Sequence, residues 1–91
     1  MPRVLYRVEF APAAARDFRG LSADTQRRLR PRIDALAVEP RPREATLLRG
    51  ADDLYRLRVR DYRILYEIRE SVLLVLVIRI GHRREIYRRT R

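Results

Sequence analysis

The stretch from Val72 to Ile80 constrains this chain more than any other. Val72 to Ile78 is unbroken apolar sequence, Arg79 interrupts it and Ile80 closes it. On a strand, Val72, Leu74, Leu76, Ile78 and Ile80 share one face, and Leu73, Val75 and Val77 share the other. A strand apolar on both faces belongs inside a sheet with something packed on each side, so Val72 to Ile80 is predicted to be a central strand. The run is far too short to span a bilayer. Gly81 is a place for the strand to end and turn. His82, Arg83, Arg84, Glu85 and Tyr87 follow at once, so a stiff buried strand delivers a cluster of ionisable groups to one sheet end.

Three further segments alternate. Val4, Tyr6, Val8 and Phe10 fall on one parity and Arg3, Arg7 and Glu9 on the other, which predicts a first strand over Arg3–Phe10 with one buried face. Tyr55, Leu57 and Val59 oppose Arg56, Arg58 and Arg60; Asp61 marks a tight turn. Tyr62, Ile64, Tyr66 and Ile68 then oppose Arg63, Leu65, Glu67 and Arg69. With the turn at Glu70-Ser71, the last three strands form an antiparallel meander.

The helices lie between the first strand and the meander. Pro12 suits a first helical turn, and Ala13 to Arg19 reads as a short helix stopped by Gly20. Ser22 is a good N-cap, Asp24 suits the positive end of the helix dipole, and Leu29, Ile33, Leu36 and Ala37 recur at helical spacing. A second helix over Ala23–Val38, kinked at Pro31, is predicted. Glu39-Pro-Arg-Pro-Arg43 is a connector, and Thr46–Asp53 contains a turn. No linker or repeat divides the chain. The expectation is one α+β domain over residues 1–91, with two N-terminal helices on one face of a four-stranded antiparallel sheet. The strand order would be 1-4-3-2.

Of the 91 residues 22 are basic, all of them arginine, against 12 acidic ones, and the net charge is +10. Arginine presents a planar fork of donors that matches phosphate oxygens. A polyanionic partner is therefore expected, either nucleic acid or an acidic protein. The row Arg56, Arg58, Arg60 and Arg63 on the uncovered sheet face is a solvated face or a docking surface for phosphates. Cysteine is absent, which removes disulfides and thiolate metal sites, and one histidine with scattered carboxylates gives no metal-ligand spacing. No cofactor or metal is expected. The N-terminus shows no apolar signal region, so a cytoplasmic protein without membrane contact is the expectation.

Leu48-Arg-Gly50, Tyr55-Arg-Leu-Arg-Val-Arg60, Asp61-Tyr-Arg-Ile-Leu-Tyr66 and Ile80-Gly-His-Arg-Arg-Glu-Ile-Tyr87 together resemble the RelE/ParE superfamily of bacterial toxins, and the order strand, helix, helix, three strands is similar too. The likeness covers nearly the whole chain and implies a RelE-like, microbial-RNase-like fold. Its RelE branch implies a type II toxin that cuts mRNA in the ribosomal A site without a metal. By that resemblance, Arg63, Arg83 and Tyr87 match the arginines and C-terminal tyrosine of RelE-like active sites. Arg56 and Arg58 stand where relatives carry basic residues, often lysine; arginine there acts only electrostatically, since it has no acceptor to offer a proton. Arg60 and Arg84 join them as RNA-binding candidates. His82 is a candidate general acid beside a more ordinary reading as a surface hydrogen-bonding residue, and Glu85 is a further candidate base.

The resemblance also implies a cognate antitoxin with acidic contact segments, mRNA and the ribosome as partners, and operator DNA bound only through the antitoxin. Two rivals remain. A ParE-type toxin shares the fold but poisons DNA gyrase without nuclease activity; an ending that keeps Arg83 and Tyr87 favours the RelE branch. A basic RNA- or ribosome-binding module would use the arginine face without cutting.

Overall fold

The computed structural model describes residues 4–48 and 53–82. Its elements are β1 (Arg7–Phe10), α1 (Pro12–Arg19), α2 (Ala23–Asp34), β2 (Ala45–Leu47), β3 (Leu54–Val59), β4 (Tyr62–Arg69) and β5 (Leu74–His82). The strands form one sheet in the order β1-β5-β4-β3-β2. The expected order 1-4-3-2 is present, with two corrections. The sheet has five strands rather than four, because Ala45–Leu47 pairs with β3 at the far edge. It is not wholly antiparallel, because β1 runs parallel to β5 while the other pairs are antiparallel.

The extra strand is three residues long and lacks alternation; its partner β3 defines it, through Ala45 opposite Leu57 and Leu47 opposite Tyr55. The first strand begins at Arg7 rather than Arg3, and Val4 and Leu5 are exposed ahead of it. The last strand is shifted two residues towards the C-terminus of its expected span. Glu70–Val72 is a 3-10 turn, and Leu73 takes a left-handed conformation (φ 50°) that swings the chain into β5. At its other end the strand does not turn at Gly81. Gly81 pairs with Arg63 and His82 with Tyr62, so β4 carries the ladder one residue further.

The helices cover one face of the sheet. Ser22 caps α2 by accepting from the Thr25 N–H at 3.1 Å. The helix passes through Pro31, ends at Asp34 and tightens into a 3-10 turn over Ala35–Ala37, short of the expected Val38. Leu29, Ile33 and Leu36 are buried beneath it and, with Ala14 of α1, meet Leu57, Ile64, Tyr66, Ile68, Val75, Val77 and Ile80. Each of the leucines, isoleucines and valines among them contributes roughly 1.5–3 kcal/mol by leaving water.

Ile80 belongs to this core although its parity groups it with Leu74 and Leu76. The cause is a bulge. Tyr66 pairs with Val77, but Leu65 pairs with Arg79, so Ile78 is an extra residue in β5. The insertion exchanges the two faces beyond it and brings Ile80 onto the side of Val75 and Val77.

Where β4 turns into β5, a polar network ties three segments together. The Tyr6 hydroxyl donates to Glu70 at 2.7 Å, Arg41 pairs with the other Glu70 oxygen at 2.7 Å, and Arg41 Nε donates to the Tyr55 hydroxyl at 3.0 Å. Tyr55 stacks on Tyr66, whose hydroxyl donates to the Pro40 carbonyl at 2.7 Å. These tyrosines lie on the apolar parity and serve the core, as their spacing suggests.

Candidate active site

The β3–β4 hairpin and the end of β5 bring the arginine candidates together at the opposite end of the sheet. Arg58 stands directly across from Arg63, and Arg63 stands across from Gly81 on its other side. Arg56 lies two residues along β3 from Arg58 on the same face. Two cations directly opposite each other on a sheet destabilise the pair unless an anion approaches.

The row is not uniformly solvated. Arg58 is exposed, Arg56 is half-buried and Arg63 is only 5% exposed. Arg60 leaves the row altogether. Val59 pairs with Tyr62, which makes Arg60 and Asp61 a two-residue hairpin loop, and Arg60 takes a left-handed conformation there (φ 56°). Its exposed side chain therefore extends the basic surface from the hairpin tip rather than from the sheet face.

His82 lies apart from these arginines. It pairs across the ladder with Tyr62, and the two rings meet edge to face with centroids 5.8 Å apart. Tyr62 packs against the helix-covered core, so His82 is on the opposite side of the sheet from Arg58 and Arg63. It lines a cleft of about 460 Å³ with Arg16, Asp17, Ser22, Thr25 and Tyr62. The remaining candidates, Arg83, Arg84, Glu85 and Tyr87, lie outside the described residues. Gly81 and His82 are the last two residues before them.

Two polar side chains close to this strand end escape sequence reasoning. Asp17 of α1 accepts from Arg79 Nε at 2.9 Å and Nη2 at 3.3 Å, and from the Ile80 backbone N–H at 2.9 Å. Both partners are largely covered, with side chains 12% and 24% exposed. The hydrogen bonds from Arg79 to Asp17 hold the guanidinium more firmly charged than usual. A signal did exist: an acid in the last turn of a helix opposes the helix dipole, and Asp17 sits between Arg16 and Arg19, which suit it.

The arginines of the second helix all have carboxylate partners, two of them sharing one. Arg27 and Arg28 pair with Asp24, Arg30 with Asp34 and Arg32 with Glu44. Arg58 and Arg60 have no such partner among the described residues. Arginine without an ion-pair partner is thus offered at the hairpin end of the sheet, while each arginine of the helix has a carboxylate within reach.

A sequence profile for the ParE toxin of type II toxin-antitoxin systems, parDE, matches residues 8–87. The chain is 30% identical over 86 residues to the mRNA interferase toxin RelE of Escherichia coli (strain K12), covering 90% of both chains. The chain belongs to the RelE/ParE superfamily of type II toxins. Within it the relatives place it on the RelE-like branch. The RelE chain of an archaeal RelE–RelB complex from Pyrococcus horikoshii OT3 superposes with a TM-score of 0.76 at 30% identity, covering 87% of this chain and 96% of that one. The isolated E. coli RelE toxin superposes at 0.77 and 27% identity, covering 93% and 94%. The profile carries the ParE name while the similar proteins carry the RelE name; matches over most of each chain give the second more weight for the branch. Among the described residues no helix of this RelE-like toxin is long and apolar enough to cross a membrane.

Proposed function

We propose that this RelE-like toxin is a metal-independent endoribonuclease that cuts mRNA in the ribosomal A site. The observation that carries the reading is the cationic pair Arg58–Arg63 across β3 and β4, with Gly81 beside Arg63 and Arg83 two residues further along the chain. In the proposed reaction a base takes the 2′-OH proton as that oxygen attacks the adjacent phosphate, the P–O5′ bond breaks, the 5′-oxygen takes a proton from an acid or solvent and leaves as a hydroxyl, and a 2′,3′-cyclic phosphate remains. The transition state gathers negative charge on the phosphate oxygens. Fixed guanidinium groups offset that charge, and Arg63 and Arg83 are assigned to it. Arg56, Arg58, Arg60 and Arg84 hold the flanking backbone. Tyr87 either stacks on the displaced base or removes the 2′-OH proton; the second role requires neighbouring guanidinium groups to lower a phenol that ordinarily ionises near pH 10. Glu85 is the remaining candidate base. His82, on the other side of the sheet from Arg63, is less suited to the same phosphate.

The relative from P. horikoshii is a complex with RelB. By analogy, this toxin is held inactive by a cognate antitoxin whose acidic segments meet the hairpin arginines, and operator DNA is contacted only through that antitoxin.

The deciding experiment maps 5′ ends on mRNA in a purified translation reaction with wild type, Arg83→Ala and Tyr87→Phe. Cuts within A-site codons that vanish in Arg83→Ala uphold the reading. Full cleavage by Tyr87→Phe leaves that residue stacking alone. No cuts by the wild type would favour the rival ParE-type reading, and gyrase-linked DNA breaks would then be assayed.

A further inference from the structure

The β5 strand outruns its neighbour. β1 pairs with it only from Leu74 to Val77, and the last bond of that edge is Ala11 N–H to the Val77 carbonyl at 2.8 Å. Among the described residues no strand lies beside that side of β5 from Ile78 to His82. The bulge falls at the same place, with Ile78 as the extra residue. A bulge breaks the ladder and bends its strand, so the segment beyond it is the part of β5 least fixed by the sheet. It is also the segment that sets Gly81 opposite Arg63 and leads into Arg83.

Asp17 occupies the vacant edge. One carboxylate takes the Ile80 N–H at 2.9 Å, as a neighbouring strand's carbonyl would, and grips the Arg79 guanidinium through both oxygens at 2.9 and 3.3 Å. The residues on either side of the bulge's exit are thus tied to α1, which itself packs along β5. The carboxylate is held at a helix C-terminal turn, where the dipole opposes it. That cost is offset by two charge-assisted bonds and a backbone bond.

We propose that Asp17 is a positioning residue for RNA cleavage: it replaces the missing strand beside Arg79 and Ile80 and so fixes the register at which Gly81 faces Arg63 and the chain enters Arg83. This rests on the nuclease reading above. Asp17 touches no substrate. Its contribution is the placement of charge, and a shift of about 1 Å in such placement can cost about 10²-fold in rate.

The test combines cleavage kinetics with amide hydrogen exchange on the purified toxin. Asp17→Ala removes both anchors, Asp17→Asn keeps an oxygen for the Ile80 N–H but not the ion pair, and Arg79→Met removes the ion pair alone. The expected loss in kcat runs Asp17→Ala, then Asp17→Asn, then Arg79→Met. The first falls about 10–10²-fold with KM moving about twofold or less, the pattern of an interaction needed only in the transition state. Arg41→Met, at the far end of the sheet, controls for destabilisation alone. In Asp17→Ala the amides of Ile80 and Gly81 exchange faster while those of β3 keep wild-type protection. Wild-type kcat in Asp17→Ala overturns the proposal, as does an Arg41→Met protein with an equal fall in Tm and an equal fall in kcat. If the wild type leaves mRNA intact, the nuclease reading fails by itself. Exchange then decides the clamp: local acceleration at Ile80 and Gly81 upholds it, and unchanged exchange overturns it.

Discussion

At the end of the sheet where β4 turns into β5, Arg41 is held by Glu70 and the Tyr55 hydroxyl, and Glu70 in turn accepts from Tyr6. At the opposite end Arg58 faces not a carboxylate but Arg63. Both ends use arginine on strands or connectors of one small sheet, so the difference lies in the partners. The first end is complete within the chain: its charges are matched, its rings stack, and its effect is to tie the start of β1, the α2–β2 connector and the β4–β5 turn together. The second sets Arg58, which has no ion-pair partner among the described residues, opposite another guanidinium, and opposed like charges on a sheet weaken it. Local conflicts of this kind are where a functional role is first sought.

The sharpest way to break this comparison is to remove a cation from each end. Arg63→Met keeps an unbranched side chain for the buried site and deletes the charge. Loss of one fixed donor to a developing oxyanion costs about 10²–10³-fold in rate, so cleavage by Arg63→Met is expected to fall by about that factor. Arg41→Met is expected to cleave like wild type and to melt at a lower temperature. Single-turnover cleavage and thermal melts on both variants check the pair; equal kinetic losses would erase the distinction between the two ends.

The same contrast explains what could be read from the chain beforehand. The stacked tyrosines and the arginine row follow from period-two alternation in residues 54–69, where one parity is apolar and the other rich in arginine, and the strand order follows from the two apolar faces of Val72–Ile80. Alternation is silent about Ala45–Leu47, a strand only because β3 lies beside it, and about the bulge at Ile78, which puts Ile80 into the core against its parity. Charge patterning places arginines on one face but cannot tell that Arg63 is buried, nor that Arg60 sits in the hairpin loop. Asp17 pairs with Arg79 across 62 residues of sequence, a contact that only the packing of α1 on β5 creates. The resemblance in Tyr55–Tyr66 and Ile80–Tyr87 carried the family; the geometry of Arg83, Arg84, Glu85 and Tyr87 lies outside the described residues.

A smaller effect is expected from the matched end. Tyr66 is fully buried, and its hydroxyl is committed to the Pro40 carbonyl, which is buried too. Tyr66→Phe strands that acceptor and is expected to cost about 1–3 kcal/mol in denaturant unfolding. Burial holds the Tyr66 phenol well above the usual tyrosine range, with Tyr55 adding to the shift. A raised folded-state value means the unfolded chain ionises first. Stability should therefore be intact below about pH 10 and fall as pH rises beyond it, and Tyr66→Phe should lose most of that alkaline dependence. A wild-type Tm that stays flat into strong alkali would contradict it.

Relief of repulsion should be smaller still and opposite in sign. Arg58→Gln removes one member of the opposed pair and is expected to raise stability by about 0.2–1 kcal/mol. The same change should weaken binding to RNA of any sequence and lower the slope of log K against log salt by about one. A variant that gained stability but kept the full salt slope would mean that Arg58 meets no phosphate.

The smallest effect belongs to Glu70. The hydrogen bond from Tyr6, with that from Arg41 next, holds its carboxyl below the usual carboxylate range, and its exposure leaves the interaction screened by solvent and salt. The sign follows from the lowered folded-state value. Its stabilising contribution is present above the ordinary carboxylate pKa and is lost as pH falls through the lower folded one. A slight acid-side drop in Tm is expected, diminished by salt and absent in Glu70→Gln. Arginine keeps its charge across that range, so the hairpin end should hold RNA through the same acid titration that loosens the other end. RNA affinity that fell in step with the Glu70-dependent drop in Tm would show the two ends to be coupled, and the division of labour between them would not stand.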